Sequence, residues 1–229
     1  MSSDLAGALI GAGVCVAAAP YLARLTLSVP DRDASRWWFG RTASPRRTFT
    51  TVVIGAVLGG LGGAAAGLTV LLPAFVLLAL IGAPLVVIDY EHHRLPNRLV
   101  LIAAVGGAVL IAAAAAHHGH WSALLRAAEG GAAVYAVLFL LVLISPKSFG
   151  FGDVKLGGIL GAYLGWFGWT HVYYGIFGGF VLGAVVSIAL LASRRATMKT
   201  AIPFGPMLLL GALLVLAFDL VPSVGLSAG

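Results

Sequence analysis

Cysteine is nearly absent from this 229-residue chain. Cys15 stands alone, so no disulfide can close within it and no cysteine zinc site exists. Charge is scarce too: Asp, Glu, Lys and Arg together make up 10%, against about 25% in a soluble domain. Acids are the rarer sign, 8 against 14 Lys and Arg, which leaves a net charge of +6. No HExxH and no GxxxxGK[ST] occurs, and "GFGDVKLG" does not match GxGxxG. A zinc protease of that type, a P-loop nucleotide site and a dinucleotide fingerprint are thereby excluded. What the chain has instead is apolar surface. Hydrophobic residues make up 60% and mean hydropathy is +1.03. So much apolar surface does not fit one small water-soluble core. The apolar runs are long and do not alternate with period two, which predicts an all-α polytopic membrane bundle rather than a barrel. The basic balance, with a pI near 9.9, lies on loops and not on a soluble domain. It predicts contact with anionic lipid headgroups of the bilayer and no nucleic-acid partner.

The hydropathy pattern predicts eight spans in a single domain over 1–229. They run about Leu5–Ala23, Thr51–Leu72, Ala74–Ile88, Leu99–Ala116, Leu124–Ile144, Val154–Trp169, Val172–Ala192 and Pro203–Val221. The third and sixth look short for a bilayer of about 30 Å, so their inner ends are expected to continue as helix into the loops. The first span has a small-residue patch at Ala17–Ala19. Its start is acidic at Asp4 and lacks a basic segment, which favours a retained span over a cleaved signal. With both termini outside, 13 of the 14 Lys and Arg fall at inner positions and Arg126 alone falls outside. That asymmetry sets the expected orientation. Residues 28–50 form a basic inner loop, in which Trp37 and Trp38 beside arginines read as a segment lying against headgroups.

Three glycine stripes repeat every fourth residue: Gly55, Gly59, Gly63, Gly67; Gly157, Gly161, Gly165; and Gly175, Gly179, Gly183. Small residues at this spacing let helix backbones approach closely. They are expected to pack helices rather than to bind a ligand.

Besides Asp31 and Asp33 of the basic loop, two inner loops carry an acid at the end of a span. Asp89 lies in "VVIDYEHHRLPNRLVL" at the inner end of the third span. Asp153 lies in "SFGFGDVKLGG" at the inner end of the sixth, 64 positions later. The expected topology puts both at one depth on one side. Two neighbouring carboxylates cannot both ionise cheaply, so one keeps a proton while the other acts as base. Such a pair can deprotonate a water, direct it at a peptide carbonyl and protonate the leaving nitrogen. Gly150 and Gly152 would let backbone pass close to a substrate strand. Asp153 stands where a helix begins, so its position fits a helix cap as well as a catalytic acid.

The segment "GFGDVKLGGILGAYLGW", Gly150–Trp166, resembles the GxGD segment of the bacterial type IV prepilin leader peptidases, which are membrane aspartic proteases. "IDYEHHRLPNRL", Ile88–Leu99, is similar to that family's first-aspartate segment, and "IPFGPMLLLGALL", Ile202–Leu214, to its last span. The three occur in family order, and the resemblance covers about Val52 to the C-terminus. It implies that Asp89 and Asp153 are the catalytic aspartates, supported by Gly150, Gly152, Lys155 and Pro96. It also implies no cofactor and no metal, and prepilin or pseudopilin substrates whose basic leader is cut at the cytoplasmic face of the bacterial inner membrane. Lys155 matches the lysine of the GxGDxK pattern, in a role of orientation or charge balance. Pro96 ends any helix through its loop near Leu95. Longer members carry paired CxxC motifs in the first cytoplasmic loop and also N-methylate the new N-terminus. Ser28–Thr50 has no cysteine, which excludes a zinc-bearing loop there and puts methyl transfer in question.

Other polar residues read less specifically. His92 and His93 are adjacent, so a helix would aim them about 100° apart and not at a shared metal. "HHGH" at His117–His120 reads as an outer loop. Glu91 is the rival to Asp89 for the first acid, but helical geometry aims it elsewhere. Asp219 reads as an interfacial or packing residue. Two other functional classes stand beside the peptidase. One is a small proton-coupled transporter, which predicts internal repeats and acids near the bilayer midplane. The other is a non-catalytic assembly component of a pilus or secretion system.

Overall fold

Local sequence signals start and stop each helix. The computed structural model describes residues 2–28, 42–145, 150–194 and 203–221. Within them lie α1 (Ser3–Ser28), α2 (Pro45–Ala66), α3 (Leu72–His92), α4 (Asn97–His118), α5 (Trp121–Ile144), α6 (Phe151–Phe167), α7 (Trp169–Ala192) and α8 (Gly205–Ala217). Trp37, Trp38, Lys147, Arg195, Lys199 and Ile202, on which several expectations fell, lie outside the described residues. At α2, Ser44 accepts a hydrogen bond from the Arg47 amide and Pro45 opens the first turn. A hydroxyl cap followed by proline satisfies the orphan N–H groups of a helix start. α3 stops at His93, which adopts a left-handed conformation. Pro96 then separates it from α4, as its effect on the preceding residue requires.

Six of the helices are long and apolar enough to cross a membrane: α1 to α5 and α7. Their outward side chains include Leu101, Val105, Val109, Val185 and Ile188, all well exposed. Lipid facing the bundle accounts for such a surface.

Some boundaries differ from expectation. The second span was expected to reach Leu72, but Gly67 takes a positive φ of 58° and caps α2. The third does continue as helix into the loop, as its short apolar run implied: α3 holds 21 residues and runs past Asp89 to His92. The hydropathy trace stopped at Ile88 because a helix leaving the membrane becomes polar without ceasing to be a helix. α8 is shorter than expected, at 13 residues. Asp219 has φ 46°, and Val221 precedes Pro222, which disfavours helix at that point.

Helices α3, α6 and α8 form the interior. α3 contacts α1, α2, α4 and α8, and α8 also contacts α2, α6 and α7. The glycine stripes do pack helices. Gly59 and Gly63 of α2 lie against Gly11 and Gly7 of α1. Gly161 and Gly165 of α6 meet α5 backbone, where a Cβ would stand 2.6 Å from the carbonyls of Gly130 and Arg126. Gly179 of α7 sits against α8, where a Cβ would stand 2.9 Å from Leu208 Cα. In α1–α2 the partner glycines Gly7 and Gly11 repeat the same four-residue spacing, a signal present on both sides of the contact though the three longer stripes drew attention to one.

The chain alternates direction through the bundle, and cross-links mark its two ends. At one end Arg47, beginning α2, meets Glu91, ending α3. At the same end Lys155, beginning α6, donates to Asn97, beginning α4. At the opposite end Arg126 donates to the Gly165 and Trp166 carbonyls, and Tyr163 donates to the Ala74 carbonyl.

Candidate active site

Three helix ends build the site. Asp89 lies in the last turn of α3, where its carbonyl accepts the His93 amide that caps the helix. Asp153 lies in the first turn of α6, after Gly150 at the cap position. Gly205 is the first residue of α8. Both carboxylates converge on it. A Cβ placed on Gly205 would stand 3.2 Å from Asp89 Oδ2 and 3.3 Å from Asp153 Oδ1. The sum of those two distances, 6.5 Å, is the most that can separate the two oxygens. A water hydrogen-bonded to both would span up to about 5.5 Å, so small side-chain rotations suffice for a bridge.

Both acids are buried, Asp89 at 5% and Asp153 at 9% exposure. They are, with Thr26 and Thr51, the buried polar side chains among the described residues. Asp89 Oδ2 has no hydrogen-bond partner in the protein. An unsatisfied buried carboxylate oxygen is costly in a structural role and calls for a proton, a water or a substrate. The Gly205 amide lies close enough to act on both carboxylates. It stands at the N-terminus of α8, where unpaired N–H groups and the helix dipole favour negative charge. The tilted ring contact of Phe204 with Phe180, centroids 4.9 Å apart, seats that end of α8 against α7.

The two glycines of the GxGD segment have separate jobs. A Cβ on Gly150 would stand 3.1 Å from Asp153 Oδ2, so its absence leaves room for the carboxylate. A Cβ on Gly152 would stand 2.8 Å from Leu95 Cβ. Gly152 therefore lets the start of α6 press directly on the loop that follows Asp89, and joins the two acid-bearing segments.

The remaining expected residues fall around the acids. Lys155 does not reach them: Nζ donates to Asn97 Oδ1 at 2.8 Å and lies 4.8 Å from the centre of the Phe151 ring. Its observed contacts favour orientation of α6 against α4 over charge balance. Pro96 occupies the cap position of α4. Glu91 points away and pairs with Arg47 at 2.8 Å. His117, His118, His120 and Trp166 form a chain of ring contacts at the opposite end, and Asp219 lies 3.5 Å from His171 there. A cleft of about 610 Å³ runs between α4, α5 and α6, with Asn97 and Lys155 in its wall but neither acid.

Asp89 and Asp153 now stand together with the segment order that the resemblance required. The family model of the type IV leader peptidases matches residues 74–188, half of the chain and both acids. This chain belongs to the type IV leader peptidase family. It is 40% identical over 80 residues to a prepilin leader peptidase/N-methyltransferase of Pseudomonas putida, covering 34% of this chain and 27% of that protein. It is 32% identical over 122 residues to the proteins of the same name from Stutzerimonas stutzeri and Pseudomonas aeruginosa, covering 53% of this chain and 41% of each. The matches thus span less than half the length of these relatives. No solved structure matches.

For a leader peptidase family member, two residues of this site escaped the reading of single residues. Gly205 and Asn97 both sit in quoted segments, "FGP" and "LPN", but neither has a side chain that suggests chemistry at the acids. Only proximity in space reveals the Gly205 amide between the carboxylates.

Proposed function

We propose that this protein is a membrane aspartic endopeptidase that removes the leader of prepilin or pseudopilin proteins at the cytoplasmic face of the bacterial inner membrane. The convergence of Asp89 and Asp153 on the Gly205 amide, at one end of the bundle, carries this reading. One acid holds a proton and the other is ionised. The ionised acid takes a proton from a bridging water, whose oxygen attacks the scissile carbonyl. The protonated acid gives its proton to the departing amide nitrogen. The pair then returns to its one-proton state. The start of α8 stabilises the negative charge throughout. The rim of basic residues at the acid end, Arg46, Arg47, Arg94 and Arg98 among them, supports placing that end in the cytoplasm and both termini outside. The whole chain acts as a single peptidase domain. Methyl transfer is no part of this reading, since Ser28–Thr50 has no cysteine.

Family membership and acids at one end rather than halfway along the bundle weigh against a transporter. The test is co-expression with candidate prepilins, scored by the size shift of the pilin. Asp89→Asn and Asp153→Asn are each expected to stop the shift while the protein still inserts. Unimpaired cleavage by either variant removes that residue from the pair.

A further inference from the structure

Asp89 must face inward for the site to exist, yet it lies in the final turn of α3, where a helix frays most readily. Two residues later, Glu91 projects from the same turn. Successive residues are about 100° apart around a helix, so Asp89 and Glu91 point about 200° apart. Whatever holds Glu91 from outside therefore fixes the inward aim of Asp89. That holder is Arg47. One guanidinium nitrogen, Nη2, donates to both Glu91 oxygens at 2.8 Å. The other, Nη1, donates to Thr26 Oγ1 at 2.8 Å. Thr26 is buried near the end of α1 and donates its own hydroxyl proton to the Ala23 carbonyl. Arg47 is itself set in the first turn of α2, its amide bonded to Ser44 Oγ and its carbonyl accepting from Thr51 Oγ1. One planar fork thus links the inner ends of three helices, a geometry that lysine cannot reproduce.

We propose that Arg47 is a positioning residue for peptide cleavage: through Glu91 it fixes the rotation of the last turn of α3 and hence the aim of the Asp89 carboxylate at Asp153 and Gly205. The inference rests on the peptidase reading above. Arg47 and Thr26 lie outside residues 74–188, the part matched by the family. α1 and α2 are then no mere scaffold beside the catalytic half but contribute to the alignment of its acids.

The test compares Arg47→Ala, Glu91→Gln, their double variant and Arg47→Lys with the wild type, all as full chain in detergent micelles with a purified prepilin. A misplacement of about 1 Å at a reacting group is worth about 100-fold in rate. Arg47→Ala and Glu91→Gln are each expected to lower kcat by about 10- to 100-fold at unchanged KM and near-unchanged Tm. The double variant is expected to be no worse than either single one, and Arg47→Lys to fall between. A kcat equal to wild type in Arg47→Ala overturns the inference. So does a multiplicative loss in the double variant, or a loss that tracks a falling Tm, which would mark a merely structural contact. Amide exchange across Val87–His93 decides the matter without substrate. It should speed up in Arg47→Ala and Glu91→Gln, and protection equal to wild type overturns the inference. A wild type that cleaves no prepilin refutes the peptidase reading instead.

Discussion

Replacing Gly205 with alanine adds one methyl group at the point where the two acids meet. That methyl carbon would stand 3.2 Å from Asp89 Oδ2, 3.3 Å from Asp153 Oδ1 and 3.4 Å from Leu156 Cδ2. An ordinary contact needs a few tenths of an ångström more, so both carboxylates must turn aside. The methyl also occupies the position from which a shared water would bridge them. Displacement of reacting groups by up to about 1 Å lowers kcat by about 100-fold, equivalent to about 2.7 kcal/mol of barrier. Stability should move little or in the opposite direction. Alanine is favoured over glycine in helix by up to about 1 kcal/mol, and Gly205 does not have a positive φ. Gly205→Ala is therefore expected to insert, to melt no lower than wild type, and to be nearly inactive. The assay is the single-turnover cleavage rate on a purified prepilin, paired with a thermal melt in the same detergent. Wild-type kcat in a correctly folded Gly205→Ala protein refutes the placement of the reaction between these two acids.

Other perturbations follow from the same geometry. Asp89→Asn and Asp153→Asn each remove one half of the acid–base pair, worth about 100- to 10,000-fold. Their double variant should lose no more than either single one, as cleavage rates would show. Gly152→Ala drives a methyl to 2.8 Å from Leu95 Cβ. It should cost about 1–3 kcal/mol as an overpacked contact and lower activity, and Leu95→Ala in the same chain should restore part of both, read by melt and cleavage. The wild-type kcat/KM should follow a bell-shaped pH profile whose two limits belong to the pair rather than to either acid. The Asp89→Asn residual rate should lose that shape. Gly59→Leu should prevent assembly of α1 on α2, because its side chain would enter the Gly11 backbone. Loss of folded monodisperse protein in size-exclusion chromatography checks it.

Much of this architecture is carried by short-range signals. Helix starts are written in Ser44–Pro45, and stops in Gly67 and in Gly119 at φ 72°. The eight apolar segments could be recognised without knowing what lay beside them. Hydropathy and helicity part company at the inner end of the third span, where the short apolar run already implied that the helix goes on. α3 continues through Tyr90, Glu91 and His92 because backbone hydrogen bonds do not end at the membrane surface. The acids themselves stood out because charge in an apolar chain is costly. Their neighbours did not. Lys155 invited an electrostatic reading, and its partner is the neutral Asn97.

The chain's composition and local order determine that it is a helical membrane protein, where its turns fall, and which few carboxylates require an explanation. These are properties of neighbouring residues and of their transfer from water, so they need no knowledge of distant segments. Only the tertiary structure decides that Asp89, Asp153 and Gly205, which are far apart in sequence, share one small volume, and that Arg47 holds Glu91 while Asp89 turns inward. Such meetings depend on how each helix is rotated about its axis against the others. That rotation is set by the summed packing of whole helix faces, which no short stretch of sequence contains.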